Sequence, residues 1–89
     1  MKNWTFKNIC DFLKDYGFKL DHIKGSHYFY YGRIRGEDVT VQAISNSHER
    51  TCQSDKTLHI IVKHSHIQKE YFEEWQRSRG KAVHKDIIG

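Results

Sequence analysis

The chain has 89 residues, 37% hydrophobic, 29% charged and 13% aromatic, which bounds it to one small domain with a modest core. Its formal charge is +4 with seven histidines counted neutral, a balance that favours polyanionic partners. No apolar run approaches the ~20 residues of a membrane span, and Met1-Lys2-Asn3-Trp4 opens no secretory signal pattern. Cys10 and Cys52 make no disulfide framework, so they read as reduced thiols in a cytoplasmic protein.

Thr5 is the expected N-cap of a first helix, since its hydroxyl can accept a backbone N–H two or three residues on. Trp4 before it and Ile9 after it have the spacing of a hydrophobic staple. Phe6, Ile9, Cys10 and Leu13 form an apolar stripe at helical spacing, with Lys7, Asp11, Lys14 and Asp15 on the other side. Gly17 reads as the C′ glycine, with Phe18 closing back on Leu13.

Phe18-Lys19-Leu20-Asp21-His22 alternates with the period of a half-buried strand. A Gly25-Ser26 corner leads into a second strand, His27 to Arg33. Gly36-Glu37-Asp38 is the next expected turn, followed by the alternating strand Val39-Thr40-Val41-Gln42-Ala43. Three short strands with tight connections make an antiparallel meander.

Ser45 to Lys56 is polar and aperiodic and reads as a surface loop. Ser54 or Asp55 can cap a second helix whose core stripe is Leu58, Ile61 and Val62. Ser65-His66 interrupts it, and Ile67, Tyr71, Phe72 and Trp75 mark a third helical segment ending near Gly80. Residues 1–79 are thus expected to form the domain. Residues 80–89 are expected to be a flexible tail that continues the basic run Arg77, Arg79, Lys81 and Lys85. One amphipathic sheet must be covered on its apolar face, and the flanking helices are the available cover. The fold class is α+β: a two-layer sandwich of helix, three-stranded antiparallel sheet and one or two helices, with one sheet face open.

Lys24-Gly25-Ser26-His27-Tyr28-Phe29-Tyr30-Tyr31 carries the chemistry. Gly25 permits a tight corner, and the aromatics after His27 suit a pleated surface. A histidine held beside a lysine suits proton transfer on an anionic substrate, because imidazole titrates near pH ~6.5. A hairpin corner with a surface histidine is the other reading of the same eight residues. Alternation lets at most half of the aromatics stack on unpaired bases. Phe29 is expected in the core, which leaves Tyr28 and Tyr30 as stacking candidates.

Two separated motifs, in this order, resemble the HicA toxins of type II toxin–antitoxin systems. In that family a first helix ending in Gly-aromatic leads to a strand and then to K-G-S-H before an aromatic or aliphatic strand. The matching residues are Gly17-Phe18, Lys24-Gly25-Ser26-His27 and Tyr28 to Tyr31. A second segment, Lys56-Thr57-Leu58 with Ile61, Val62 and Ile67, is similar to the family's G-T-L helix. The likeness covers roughly residues 5–75. The chain departs from the pattern at Lys56, in the Ser45–Asp55 loop and in its C-terminal extension. The resemblance implies a double-stranded-RNA-binding-like fold, metal-independent cleavage of mRNA with His27 as the catalytic residue, and a HicB-type antitoxin covering the site.

In such a reaction the 2′-hydroxyl attacks the adjacent phosphate while an acid protonates the leaving 5′-oxygen, and His27 supplies one of these transfers. Lys24 would offset phosphorane charge, and the Gly25-Ser26 corner would offer backbone donors. Arg77, Arg79 and Lys81 are candidate contacts to the RNA backbone. No cofactor or metal is expected: His64-Ser65-His66 is the nearest approach to a chelate, and no C-x-x-C or H-E-x-x-H spacing occurs. A non-catalytic RNA-binding module of the same fold is the alternative. An interaction domain for protein alone would leave the positive charge unexplained.

Overall fold

A computed structural model describes residues 1–45 and 52–89. The chain runs α1 (Phe6–Asp15), β1 (Lys19–Lys24), β2 (His27–Ile34), β3 (Glu37–Ile44), α2 (Asp55–Ser65) and α3 (Lys69–Arg77), with a single 3₁₀ turn at Lys85–Ile87. The fold is α+β, with an antiparallel sheet in the order β1-β2-β3. The expected loop at Ser45–Lys56 lies partly outside the described residues. No described helix is long and apolar enough to cross a membrane.

Thr5 caps α1 as its sequence position requires. Its hydroxyl accepts the Asn8 N–H at 3.1 Å, and the Asn8 side chain accepts the Thr5 N–H at 3.1 Å, a reciprocal capping box. At the other end Gly17 has φ +83°, and the Phe18 and Gly17 N–H groups donate to the Leu13 and Lys14 carbonyls at 2.9 and 3.0 Å. That is the 6→1 and 5→2 pair of a Schellman motif, whose left-handed residue glycine tolerates best. The buried stripe of α1 is wider than expected, because Phe12 joins Ile9, Cys10 and Leu13, and Tyr16 follows at the cap. Phe12 stacks on Phe72 of α3 with centroids 3.9 Å apart, and Trp4 stacks on Trp75 at 5.5 Å. The helical layer is therefore joined by aromatic contacts, and the Trp75 Nε1–H donates to Asp15 Oδ2 at 2.8 Å.

Ser54, not Asp55, caps α2 by accepting the Thr57 N–H. Ser65 is buried and its hydroxyl donates to the Val62 carbonyl, while His66 turns the chain in the left-handed region. α3 ends in a second pair of 6→1 and 5→2 bonds, Gly80 N–H to Trp75 and Arg79 N–H to Gln76, so the non-glycine Arg79 takes φ +55°.

The hairpins set the sheet. Lys24 pairs with His27 across the two-residue Gly25-Ser26 loop, where Gly25 alone has positive φ, as a type II′ turn requires. Ile34 pairs with Glu37 across Arg35-Gly36, both with positive φ, the pattern of a type I′ turn. This turn lies one residue earlier than expected. Val39, Val41 and Ala43 of β3 face the helices and pair with Gly32, Tyr30 and Tyr28.

Two expectations are corrected here. Phe18 is buried, but every residue of β1 is exposed rather than half-buried, including Leu20 at 43% and Ile23 at 50%. β1 is an edge strand, whereas α1 and α2 pack against β3 at the opposite edge. Residues 80–89 are docked rather than frayed. Ile87 is buried, its carbonyl accepts the Arg35 N–H at 2.8 Å, and Ile88 bridges Ile34. His84 stacks on Tyr71 at 3.7 Å, and its backbone N–H donates to the Tyr16 hydroxyl at 3.0 Å. Two isoleucines in an aperiodic stretch carry no helical or strand signal, yet they fill a gap beside the hairpin.

Candidate nucleic-acid interface

Alternation along β2 sends Tyr28, Tyr30, Gly32 and Ile34 toward the helices and His27, Phe29, Tyr31 and Arg33 to the open face. The phase is opposite to the expected one. Residues paired directly across an antiparallel ladder share a face, so the apolar side of β3 carries Tyr28 and Tyr30 inward with it. Tyr30 is 2% exposed, hydrogen-bonds the Cys10 thiol, and has its ionisation pushed well up by burial. Tyr28 packs edge-on against Phe6 at 4.9 Å. Neither ring is presented on the open face. Phe29 and Tyr31 are.

The open face is a grid. His22, Phe29 and Gln42 lie in one row across β1, β2 and β3, and Lys24, His27 and Ile44 in the next. Lys19, Tyr31 and Thr40 form a third row, with Arg33 and Asp38 beyond it. His27 is half-buried, and the Gln42 side-chain amide meets its Nδ1 at 2.5 Å. That bond orients the ring and leaves Nε2 as the nitrogen available to a ligand. Lys24 stands directly across from His27 and makes no ion pair among the described residues.

His22 reaches this face through an irregularity. Leu20 pairs with Tyr30 and His22 with Phe29, so Asp21 is an extra, unpaired residue. Strict alternation from Phe18 and Leu20 would place His22 on the helical side. The bulge reverses it. His22 stacks on Phe29 with centroids 4.3 Å apart and planes within 8°, and its Nδ1–H donates to Asp21 Oδ2 at 2.7 Å. Farther along, Asp38 accepts from the Tyr31 hydroxyl at 2.7 Å and from Arg33 at 2.9 Å. The Tyr31 hydroxyl therefore ionises above its usual range, chiefly through the bond to Asp38.

The sequence-predicted residues are only partly gathered. Lys24, Gly25, Ser26 and His27 lie together at the corner, although the Ser26 carbonyl already accepts the Ser45 N–H at 2.8 Å. Arg77 ends α3 and Arg79 and Lys81 follow it, so none of the three stands on a strand of the face that carries His27. Arg79 lines a cleft of about 500 Å³ with Asp11, Lys14 and Asp15. His64 and His66 flank the buried Ser65, and among the described residues no three His, Cys, Asp or Glu side chains gather to hold a metal ion. Sequence reasoning missed His22, Asp21, Gln42, Phe29 and Tyr31 as members of this face. The phase of Val39-Thr40-Val41, carried across a two-residue turn, would have found Phe29 and Tyr31.

No family model, curated protein or solved structure matches the chain.

Proposed function

We propose that this protein is a HicA-like endoribonuclease with a double-stranded-RNA-binding-like fold, which cleaves mRNA without a metal ion by proton transfer through His27. The observation that carries the reading is His27 itself: an oriented imidazole with a free Nε2, opposite Lys24, on a sheet face that also presents Phe29 and Tyr31. The aromatic surfaces suit stacking with unpaired bases, and Lys19 and Lys24 suit phosphates. An internal 2′-hydroxyl is the nucleophile that such a site needs, so RNA is its substrate and DNA is not. As a cytoplasmic toxin, the protein would be held in check by a HicB-type antitoxin whose acidic surface complements the basic one.

The test is cleavage of a short single-stranded RNA in EDTA, beside the same RNA with a 2′-methoxy group at the scissile nucleotide. The first should be cut to a 2′,3′-cyclic phosphate and a 5′-hydroxyl, and the second should bind uncut. His27→Ala should lower the rate about 10²–10⁴-fold without altering the fold. Binding without cleavage across pH 6 to 8 would assign the face to a non-catalytic RNA-binding module.

A further inference from the structure

We propose that His22 is a second catalytic residue of the same site, the general acid that protonates the leaving 5′-oxygen, with Asp21 as its positioning residue. The inference rests on the ribonuclease reading and concerns the half of the reaction that one histidine leaves unserved. Cleavage moves two protons: one leaves the 2′-hydroxyl as O2′ bonds to phosphorus, and one arrives at O5′ as its bond to phosphorus breaks.

The grid places a second imidazole on the same face. His22 lies opposite Phe29, and His27 lies two residues before Phe29 on the same face. The two histidines are therefore diagonal neighbours, with α-carbons roughly 7–8 Å apart, a backbone spacing at which two side chains can address one phosphodiester. Lys24 completes this corner, two residues beyond His22 and directly across from His27. The His22 side chain is 56% exposed, so its Nε2 is open to a ligand.

Three features point to a built arrangement. The bulge at Asp21 brings His22 to the open face, and bulges re-aim side chains in this way beside active sites. Asp21 Oδ2 accepts a hydrogen bond from Nδ1–H at 2.7 Å, which selects the tautomer that exchanges its proton at Nε2. Phe29 stacks flat against the ring and fixes its plane. The partners also divide the roles. Asp21 carries a negative charge that complements an imidazolium, whereas the Gln42 amide at His27 is neutral. His22 accordingly gives a proton to O5′, and His27, in the tautomer whose Nδ1–H donates to the carbonyl oxygen of a turned Gln42 amide, takes one from O2′ at Nε2. One turnover moves a proton from His22 to His27, and exchange with water resets both rings.

The experiment compares ordinary RNA with RNA carrying sulfur in place of the bridging 5′-oxygen, a leaving group that needs no proton. His22→Ala should cut ordinary RNA about 10²–10³-fold more slowly than wild type and the sulfur substrate within about 10-fold of it. His27→Ala should be slow on both. Asp21→Asn should lose a smaller factor, on ordinary RNA alone. Equal losses on both substrates for His22→Ala would overturn the acid role. Wild-type rates from His22→Ala beside an inactive His27→Ala would remove His22 and leave the ribonuclease reading standing. A wild-type His27→Ala, or a wild-type protein that cuts neither substrate, would overturn that reading and this one with it. Far-UV circular dichroism and the thermal midpoint confirm that each variant is folded.

Discussion

Gln42 of β3 reaches His27 on the neighbouring β2, its side-chain amide meeting Nδ1 at 2.5 Å, although its own partner in the ladder is Phe29. The contact is diagonal, so it depends on a long amide and on a register that neither strand sets alone. Gln42→Ala should leave the ring free to turn, lowering kcat roughly 10- to 100-fold with little change in KM. Gln42→Glu, whose carboxylate accepts an Nδ1–H and so favours the tautomer with a proton-accepting Nε2, should recover part of the loss. Steady-state cleavage of one RNA by the three proteins checks this. Equal kcat values would make the contact incidental.

Phosphate contacts should belong to the open face and not to the basic C-terminal run. Lys24→Ala should weaken RNA binding and lower the slope of log K against log salt by about 0.7 for a single strand. Lys81→Ala should leave the slope unchanged, since the residue follows α3 and stands on no strand of the open face. Titrations at 50–200 mM salt separate the two surfaces.

Gly32 should resist substitution for steric reasons alone. A Cβ there would lie 2.8 Å from Phe18 Cγ, with two more ring atoms within 3.1 Å. Gly32→Ala should cost about 1–3 kcal/mol, with the midpoint falling about 4–8 °C per kcal/mol in a domain of this size. Shrinking the ring with Phe18→Leu should make the double variant less destabilised than the sum of the single ones.

The C-terminal segment should contribute stability. Ile87→Ala should cost about 2–4 kcal/mol as a buried aliphatic truncation. Lys85→Ala, exposed on the same 3₁₀ turn, should stay within about 0.5 kcal/mol. Urea unfolding of both variants decides it, and an unaffected Ile87→Ala would return the segment to a frayed end.

Alkaline stability should reflect Tyr30. Burial, reinforced by the bond to Cys10, raises its folded ionisation above the reference near pH ~10. A raised folded value means that the hydroxyl's stabilisation is full below pH ~10 and is lost as pH climbs through the folded value. Denaturant midpoints between pH 9 and 11 should therefore fall less steeply for Tyr30→Phe than for wild type. Parallel slopes would remove Tyr30 from the alkaline response.

Local chemistry was legible in the chain. Thr5, Gly17, Gly25-Ser26 and Ser54 sit where their caps and corners were expected, because each acts on backbone groups within a few residues of itself. The order of helix, meander and helices was equally plain, since runs such as Ile9-Cys10-Leu13 and Val39-Val41-Ala43 carry the period of their element. Three features depended on contacts distant in sequence. The inward phase of Tyr28 and Tyr30 followed from pairing with β3, which a strand of four aromatics cannot reveal by itself. The exposure of Leu20 and Ile23 followed from where the helices lie over the sheet, since an apolar side chain is buried only if something covers it. The open face gathered His22, His27 and Gln42 from three strands because one unpaired residue, Asp21, shifted β1 by half a period. Alternation has a period of two, so a single inserted residue exchanges the two faces beyond it. Only the paired register records where that insertion falls.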